Sequence, residues 1–276
     1  MFTVMLKCYD IEFSDLNEGC DSELLYKTSG IERDIRELIK SSAKEKSDFA
    51  IIEHKDILKD WFPETECHIF MSHSHKDEKM AITIANALYK RYGVKTFIDS
   101  QFWGFVDDAI YEINNMYSRD DSVAGCMEYN RSMRVASNFY LILVNALTDA
   151  IYKSDSCWFI NTKNSLNASV NSTYSPWLYT EINYTAVVKR TAHPLRPMPI
   201  YKSKDVAMDS INESRARYVS VKFDANTKHM TKVEFGQLIN LLQGRDNNGN
   251  LKEFDRKLPF KNLDFIYQQF DSFDNK

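Results

Sequence analysis

The amino-acid sequence predicts an α/β domain built on a parallel sheet, and three observations support this class. Apolar runs of about five residues, the length of buried strands, recur along the chain. The longer stretches between them place apolar residues at helical spacing. The chain has 276 residues, 43% of them hydrophobic, which is enough for one large domain or two small ones. Alternating strands and helices favour parallel pairing, because each crossover between strands is then a helix.

The first part of the chain, residues 1–62, is predicted to be an N-terminal α/β extension that packs on the core. The stretch FTVMLKCYDIEF alternates with period two, as a half-buried strand does. The stretch IERDIRELIKSSAKEK has helical spacing, with apolar side chains at Ile31, Ile35, Leu38 and Ile39. The following HKDILKDWFPE ends at Pro63, where we expect the extension to end.

A more regular series begins at Glu66. We predict a strand at CHIFMS, an amphipathic helix at DEKMAITIANALYKRYG that ends at Gly93, and a second strand at VKTFID. The segment SQFWGFVDDAIYEINNMYS is expected to be a loop followed by a helix. The apolar segment SMRVASNFYLILVNALTDAIYKS is expected to be a long helix.

The third strand of this series is predicted at SCWFIN, and the polar loop TKNSLNASVNSTYS follows it. The helix PWLYTEINYTAVVKR comes next, with Ser175 as its N-cap and Pro176 in its first turn. A later strand is expected at RYVSVKF and a closing helix at TKVEFGQLINLLQG. Residues 63–276 are therefore assigned to one α/β domain with a C-terminal extension.

Composition and charge exclude several classes of protein. The net charge is −4 with no block of one sign, which argues against a nucleic-acid partner. The five cysteines are scattered without a C-x-x-C motif, as in reduced intracellular proteins. No apolar run approaches eighteen residues, and the N-terminus lacks the pattern of a signal peptide. We expect a cytoplasmic protein without membrane segments.

Polar side chains follow each of the three predicted strands of the series. Ser72 and His73 end the first, Asp99 follows the second and Asn161 ends the third. In a parallel sheet, ligands bind in the crevice at the carboxyl ends of the strands. We therefore expect these side chains to face a binding site.

The stretch SHSHKDE, residues 72–78, has three interpretations. Its histidines, with His68, lack the spacing and the partner ligands of a zinc site, so we expect no metal. Ser74 fits the N-cap of the following helix, and Asp77 and Glu78 fit the positive end of its dipole. Neither interpretation accounts for Ser72 and His73, which are expected to face the crevice.

Common catalytic and phosphate-binding motifs are missing from the sequence. There is no G-x-x-x-x-G-K, no G-x-G-x-x-G and no G-x-S-x-G. The stretch GRDNNGN lacks the glycine that a calcium loop needs at its sixth position, so it is predicted to be a turn. Kinase, dehydrogenase and serine-hydrolase chemistry are thereby disfavoured.

The stretch YSPWLYTEI places Trp177 and Glu181 four residues apart on a capped helix. The two side chains therefore lie one turn apart on the same helical face. Spacing alone leaves two interpretations open. Trp177 and Glu181 are either an edge residue of the core and a solvated charge, or members of a functional site.

Three stretches in this order, IFMSHSHKD, VKTFID and SPWLYTEI, resemble the Toll/interleukin-1 receptor (TIR) family. The likeness is closest to bacterial TIR proteins of antiviral defence, of the Thoeris type, and covers about residues 64–190. It implies a flavodoxin-like parallel sheet with helices on both faces. The extensions on either side are not covered by the resemblance.

The resemblance also implies an activity. Many TIR proteins cleave NAD at the nicotinamide–ribose bond and release ADP-ribose or a cyclic or conjugated ADP-ribose signal. NAD is then a substrate, and no cofactor is needed. The catalytic glutamate of the family lies in a W-x-x-x-E pattern, which Trp177 and Glu181 match. The residues that border the nucleotide correspond to Ser72, His73 and Ser74.

Assembly is the second property that the resemblance implies. The loop after the second strand corresponds to Asp99–Asp107 and contains Trp103; in the family it gates the site and makes contacts between TIR domains. A nucleotide messenger would connect the enzyme to a downstream effector. The chain departs from the family in its acidic DDAIYEINN and its long segment Gly104–Ser154, which leaves Lys76 and Arg119 as candidate phosphate ligands. The alternative function is a TIR module that acts by assembly, without catalysis.

Overall fold

The computed structural model describes residues 6–13, 20–27, 54, 55, 57, 66–120, 122, 123, 125–166, 172–188 and 221–272, without the side chains of residues 101–105. The chain forms two compact units. Unit 1 consists of Met1–Thr28, Glu66–Asp99 and Ala150–Lys276, and unit 2 consists of Ser29–Thr65 and Ser100–Asp149. The predicted helix at IERDIRELIKSSAKEK lies outside the described residues.

Unit 1 contains a five-stranded sheet in which every neighbouring pair is parallel. Its strands are β1 (Lys7–Glu12), β2 (Ile69–Ser72), β3 (Thr96–Ile98), β4 (Ser156–Asn161) and β7 (Thr231–Val233). The order across the sheet is β3-β2-β4-β1-β7. Two short strands, β5 (Ser172–Thr173) and β6 (Phe223–Asp224), form a separate antiparallel pair.

Four described helices lie wholly in unit 1. They are α1 (Glu78–Tyr92), α4 (Pro176–Val187), α5 (Phe235–Leu242) and α6 (Pro259–Asp271). A single 3-10 turn, His75–Asp77, precedes α1. The α/β class and the parallel sheet that the sequence predicts are confirmed.

The order of the sheet is compatible with a flavodoxin-like fold. If β2, β3 and β4 are numbered 1, 2 and 3 in chain order, the first three positions across the sheet, β3-β2-β4, read 2-1-3. The flavodoxin-like order 2-1-3-4-5 begins in the same way. The fourth position is filled by β1, which precedes the other strands in the chain. The sequence predicts that residues 1–62 form an extension that packs on the core. Within this extension, Lys7–Glu12 form an internal strand of the sheet, where their mostly buried side chains fit.

One face of the sheet carries the main hydrophobic core, which α1, α5 and α6 cover. The strands contribute alternate residues to it, as the period of two requires. These are Tyr9, Ile11, Ile69, Met71, Ile98, Trp158, Ile160 and Val233. The intervening residues point to the opposite face, where the rings of Phe70 and Phe97 stack with their centroids 5.5 Å apart. Ser72 follows Phe70 by two residues and therefore belongs to this second face.

Two predicted helix ends of unit 1 are confirmed. Gly93 ends α1 with φ of +68°, the left-handed conformation that glycine adopts without strain. Ser175 is the N-cap of α4, and its Oγ accepts a hydrogen bond from the backbone N–H of Leu178 at 3.3 Å. Pro176 occupies the first turn, where no intrahelical N–H is needed. These ends fix where α4 begins and so where its later side chains lie.

Unit 2 contains α2 (Ser100–Tyr117) and most of α3 (Tyr129–Lys153). Both helices bury apolar residues at helical spacing, among them Val106, Ala109 and Ile113 of α2 and Phe139, Leu143 and Leu147 of α3. The hydroxyl of Tyr140 donates to a carboxylate oxygen of Asp107 at 3.3 Å, which links the two helices.

Two predicted elements are wrong. The loop at Asp99–Asp107 is helical from Ser100 onward, because the segment lacks proline and places its apolar residues at helical spacing. The start of the predicted closing helix, Thr231–Val233, is the edge strand β7, and α5 begins only at Phe235. Most of the predicted strand RYVSVKF lies outside the described residues, and its last residue, Phe223, begins the two-residue strand β6. Helix α6 was not predicted.

One helix in the described part of the chain, α3, is long and apolar enough to span a membrane by length and composition. The mean hydropathy of its most apolar window is 1.2, and 28% of that window is buried. Core helices pass the same test, and this one carries Arg131 and Arg134 near its start. The finding is weak evidence for a membrane span.

Candidate functional site

Three side chains from separate elements meet at the carboxyl end of the sheet. Ser72 is the last residue of β2, Asp99 directly follows β3, and Glu181 lies in the second turn of α4. Strands β2 and β4 are neighbours, and the chain continues from them toward opposite sides of the sheet. The α/β sheets bind ligands at such a switch point. The cluster lies at the carboxyl end of β2, beside this switch point.

The closest contact in the cluster joins Ser72 to Glu181. The hydroxyl of Ser72 donates a hydrogen bond to Oε2 of Glu181. The two oxygens are 2.5 Å apart, a distance typical of strong O–H···O hydrogen bonds. Both residues are 1% exposed. The second oxygen, Oε1, receives no hydrogen bond from any N–H or O–H donor among the described residues. Glu181 is therefore not the solvated charge that spacing alone allows.

His73 continues the cluster beyond Asp99. Its Nδ1 lies 3.0 Å from Oδ1 of Asp99 and 3.2 Å from the carbonyl oxygen of Met71. Both neighbours accept hydrogen bonds, so Nδ1 carries a hydrogen. Burial alone lowers the pKa of His73, but the charge of Asp99 and the hydrogen bond to it outweigh burial and raise the pKa above 6.5.

The environment of Glu181 holds its proton tightly. Burial raises the pKa of Glu181, and the charge of Asp99 and a side-chain hydrogen bond to Asp99 raise it further. The hydrogen bond from Ser72 acts in the opposite direction, but the pKa remains well above 4.5. A carboxyl group with these neighbours differs chemically from an exposed glutamate.

The thiol of Cys157 on β4 also faces the two carboxyl groups. Burial raises its pKa most, and the charges of Cys8, Glu181 and Asp99 raise it further. The thiol thus stays protonated at neutral pH and is a poor nucleophile. All five cysteines of the chain are free.

The other predicted site residues lie less centrally. Trp177 is half-buried, one turn before Glu181 on the same helix. Ser74 is half-buried at the N-cap of the 3-10 turn, where its side chain forms no capping hydrogen bond. Trp103 lies in α2 of unit 2, outside the described side chains. The roles of these three residues stay predictions.

The two candidate phosphate ligands are both exposed. Lys76 lies in the 3-10 turn, two residues after Ser74. Arg119 belongs to unit 2, and its Nε donates to the carbonyl oxygen of Asn115 at 2.8 Å. The roles of Lys76 and Arg119 as phosphate ligands stay predictions.

A cavity of about 860 Å³ lies at the same edge of the sheet, beside the ends of β1 and β4. Most of the residues that line it are of polar type, among them Glu12, Asn161, Lys163, Ser172, Thr173 and Ser175. Neither Glu181 nor Ser72 lines it. Of the residues predicted to face a crevice at this edge, only Asn161 does so here.

The structural role of two buried acidic residues, Asp77 and Asp10, was not predicted from the sequence. Asp77 accepts hydrogen bonds from Thr162 Oγ1 at 2.6 Å and Asn164 Nδ2 at 2.7 Å, which ties the start of α1 to the loop after β4. Asp10 accepts from Asn161 Nδ2 at 2.9 Å and Thr227 Oγ1 at 2.7 Å. No local pattern marks these long-range pairs, because each joins residues far apart in sequence.

The described residues include no group of three or more metal-binding side chains. No family model, curated protein or solved structure matches the chain. The likeness to TIR proteins is therefore a hypothesis that depends on the sequence stretches themselves.

Proposed function

We propose that the protein is a TIR-like enzyme that consumes NAD by cleaving its nicotinamide–ribose bond. The product would be ADP-ribose or a cyclic or conjugated ADP-ribose signal, and the setting antiviral defence in the cytoplasm. One observation carries the proposal: the glutamate of the W-x-x-x-E pattern lies buried against Ser72, at the carboxyl end of the sheet. Ser72 and Glu181 belong to the first and the third of the stretches that carry the resemblance.

The chemistry of NAD explains why one glutamate suffices. Most glycosidases need a second carboxyl group, because the oxygen of the leaving group must be protonated. Nicotinamide leaves a cationic pyridinium as a neutral molecule, so no general acid is required. The carboxylate of Glu181 would stabilise the positive charge that develops on the ribose, a contribution worth about 10²–10³ in rate.

The neighbouring side chains suit the remaining tasks of such a site. The small side chains of Ser72 and Ser74 allow a nucleotide to approach the end of β2. The half-buried ring of Trp177 offers an aromatic surface one turn from Glu181. The hydrogen bond from Ser72 fixes the orientation of the carboxyl group before substrate arrives.

The test is release of nicotinamide from NAD by the purified chain, measured by chromatography over a wide range of protein concentration. Glu181→Gln is expected to lower the rate by at least about 10²-fold. Glu253→Gln is the matched control, since Glu253 is exposed and distant in sequence, and it is expected to keep wild-type activity. Full turnover by a folded Glu181→Gln protein would remove Glu181 from the mechanism.

A second candidate function is a TIR-like module that acts by self-association without catalysis. The observation that favours it is that Glu181 is 1% exposed and does not line the described cavity. In that case the bond between Ser72 and Glu181 serves only to hold α4 on the sheet. Light scattering would then show self-association that Glu181→Gln leaves unchanged, and the wild type would release no nicotinamide at any concentration.

A further inference from the structure

We propose that Asp99 and His73 are positioning residues that keep one proton on the Glu181–Asp99 carboxyl pair in the free protein, and that a cationic N-ribosyl pyridinium displaces this proton when it binds. The identity of the ligand rests on the proposed function. The shared proton rests on the burial of Glu181, its hydrogen bond from Ser72 and the 3.0 Å approach of His73 to Asp99, and the electrostatic effect of Asp99 on Glu181 supports it.

The first argument is the hydrogen bonding of Glu181. Oε2 accepts from Ser72, whereas no described donor reaches Oε1, although the residue is 1% exposed. A buried polar atom without a partner costs roughly 1–3 kcal/mol, and more when it is charged. A proton between Glu181 and Asp99 satisfies Oε1 and removes the repulsion between two adjacent carboxylates.

The second argument is the position of His73, which decides where the negative charge lies. Its Nδ1–H group lies 3.0 Å from Oδ1 of Asp99, and its side chain is fully buried. The attraction between the imidazole and the carboxyl group stabilises negative charge on Asp99. The other member of the pair, Glu181, therefore carries the proton.

The third argument is the identity of the groups that act on Glu181. Among them are Asp99 and Ser72, while the basic group of the cluster, His73, lies against Asp99. No lysine or arginine of the described residues lowers the pKa of Glu181. Positive charge that would ionise Glu181 must then come from the ligand.

A pyridinium provides this charge. The oxidised form, NAD⁺, carries a positive nicotinamide ring, whereas the ring of NADH is neutral. Binding of the cation would transfer the proton of Glu181 to solvent, with no bond to carbon formed or broken. The resulting carboxylate then lies ready for the charge that develops on the ribose. The pair would thus select oxidised over reduced dinucleotide.

Binding should show this exchange of one proton. For a carbocyclic NAD⁺ analogue that cannot be cleaved, the Kd is expected to fall about tenfold per pH unit while Glu181 remains protonated in the free protein. The Kd for NADH should stay constant over the same range. In Asp99→Asn the repulsion between the carboxylates is removed and burial alone still raises the pKa of Glu181, so the pH dependence should shift to lower pH.

Infrared spectroscopy tests the proton directly. Free wild-type protein with labelled glutamate side chains should show the carbonyl band of a protonated carboxylic acid at neutral pH. Glu181→Gln should lack it, Asp99→Asn should lose it at a lower pH than the wild type does, and the control Glu253→Gln should keep it. The cationic analogue at saturation should abolish the band, and NADH should not.

The outcomes separate the two proposals. Nicotinamide release by a wild type without this band would overturn the shared proton and leave the proposed function standing. A band that persists when the cationic analogue saturates the protein would overturn the exchange. The band could change in the variants as expected while the protein neither binds nor cleaves NAD⁺ at any concentration. That result would support the shared proton and overturn the proposed function.

Discussion

The substitution Glu181→Gln is expected to change the pH dependence of stability. In the folded protein, burial and the neighbouring Asp99 raise the pKa of Glu181 well above its ordinary 4.5. The unfolded chain releases this proton near the ordinary value. Because the folded state holds the proton more tightly, wild-type stability falls as pH rises above about 4.5 and continues to fall until the folded pKa is passed.

The magnitude follows from proton linkage. When only the folded state holds a proton, the free energy of unfolding falls by about 1.4 kcal/mol for each unit of increase in pH. In the pH range where the unfolded chain has released this proton and the folded protein still holds it, the stability of the wild type falls relative to that of a neutral side chain. Glutamine has the shape of the protonated acid. Its oxygen can accept from Ser72, and its amide can donate to Asp99.

The assay is urea unfolding of wild type and Glu181→Gln at several pH values, with Glu253→Gln as a surface control. The stability of Glu181→Gln minus that of wild type should increase with pH by about 1.4 kcal/mol per unit above the ordinary pKa. The control should show no comparable trend. A difference that stays constant from about pH 5 to pH 8 would show that Glu181 is ionised in the folded protein, contrary to the reasoning here.

Three further outcomes are expected. Gly93→Ala should lower the free energy of unfolding in urea by at least about 2 kcal/mol. Alanine is strained at positive φ, and its Cβ would lie 2.0 Å from the carbonyl oxygen of Arg256. Gly249→Ala has the same backbone strain but open space around the Cβ, so it should lower the stability less. Ser175→Ala should lower stability by about 1 kcal/mol through loss of the cap of α4. If catalysis depends on assembly, specific activity should rise with protein concentration, and Trp103→Ala should lower it more than it lowers Tm; activity that is constant down to monomeric dilution would exclude this.

Local chemistry explains what the sequence predicts well. Gly93 and Ser175 end and begin helices through their own backbone and side-chain preferences, which a few neighbouring residues reveal. The strands β2, β3 and β4 are short apolar runs whose type does not depend on distant partners. Their carboxyl ends bring Ser72 and Asp99 to the same edge, as the crevice rule requires.

Long-range pairing explains what the sequence does not reveal. Nothing in KCYDIE states that it pairs between β4 and β7, because a strand with buried residues fits any internal position. The bond between Ser72 and Glu181 likewise joins two stretches that only a resemblance connects. Spacing allowed Glu181 to be a solvated charge, and its burial depends on the contact of α4 with the end of β2.

The position of β1 has a consequence for biosynthesis. This strand is made before either of its partners, yet it pairs with residues 156–161 on one side and 231–233 on the other. Until both have left the ribosome, its backbone N–H and C=O groups lack their sheet partners and remain available to other chains. Contacts between such distant residues form slowly. We therefore expect a nascent chain that depends on chaperones until β7 is complete, and poor recovery of any fragment that stops before it.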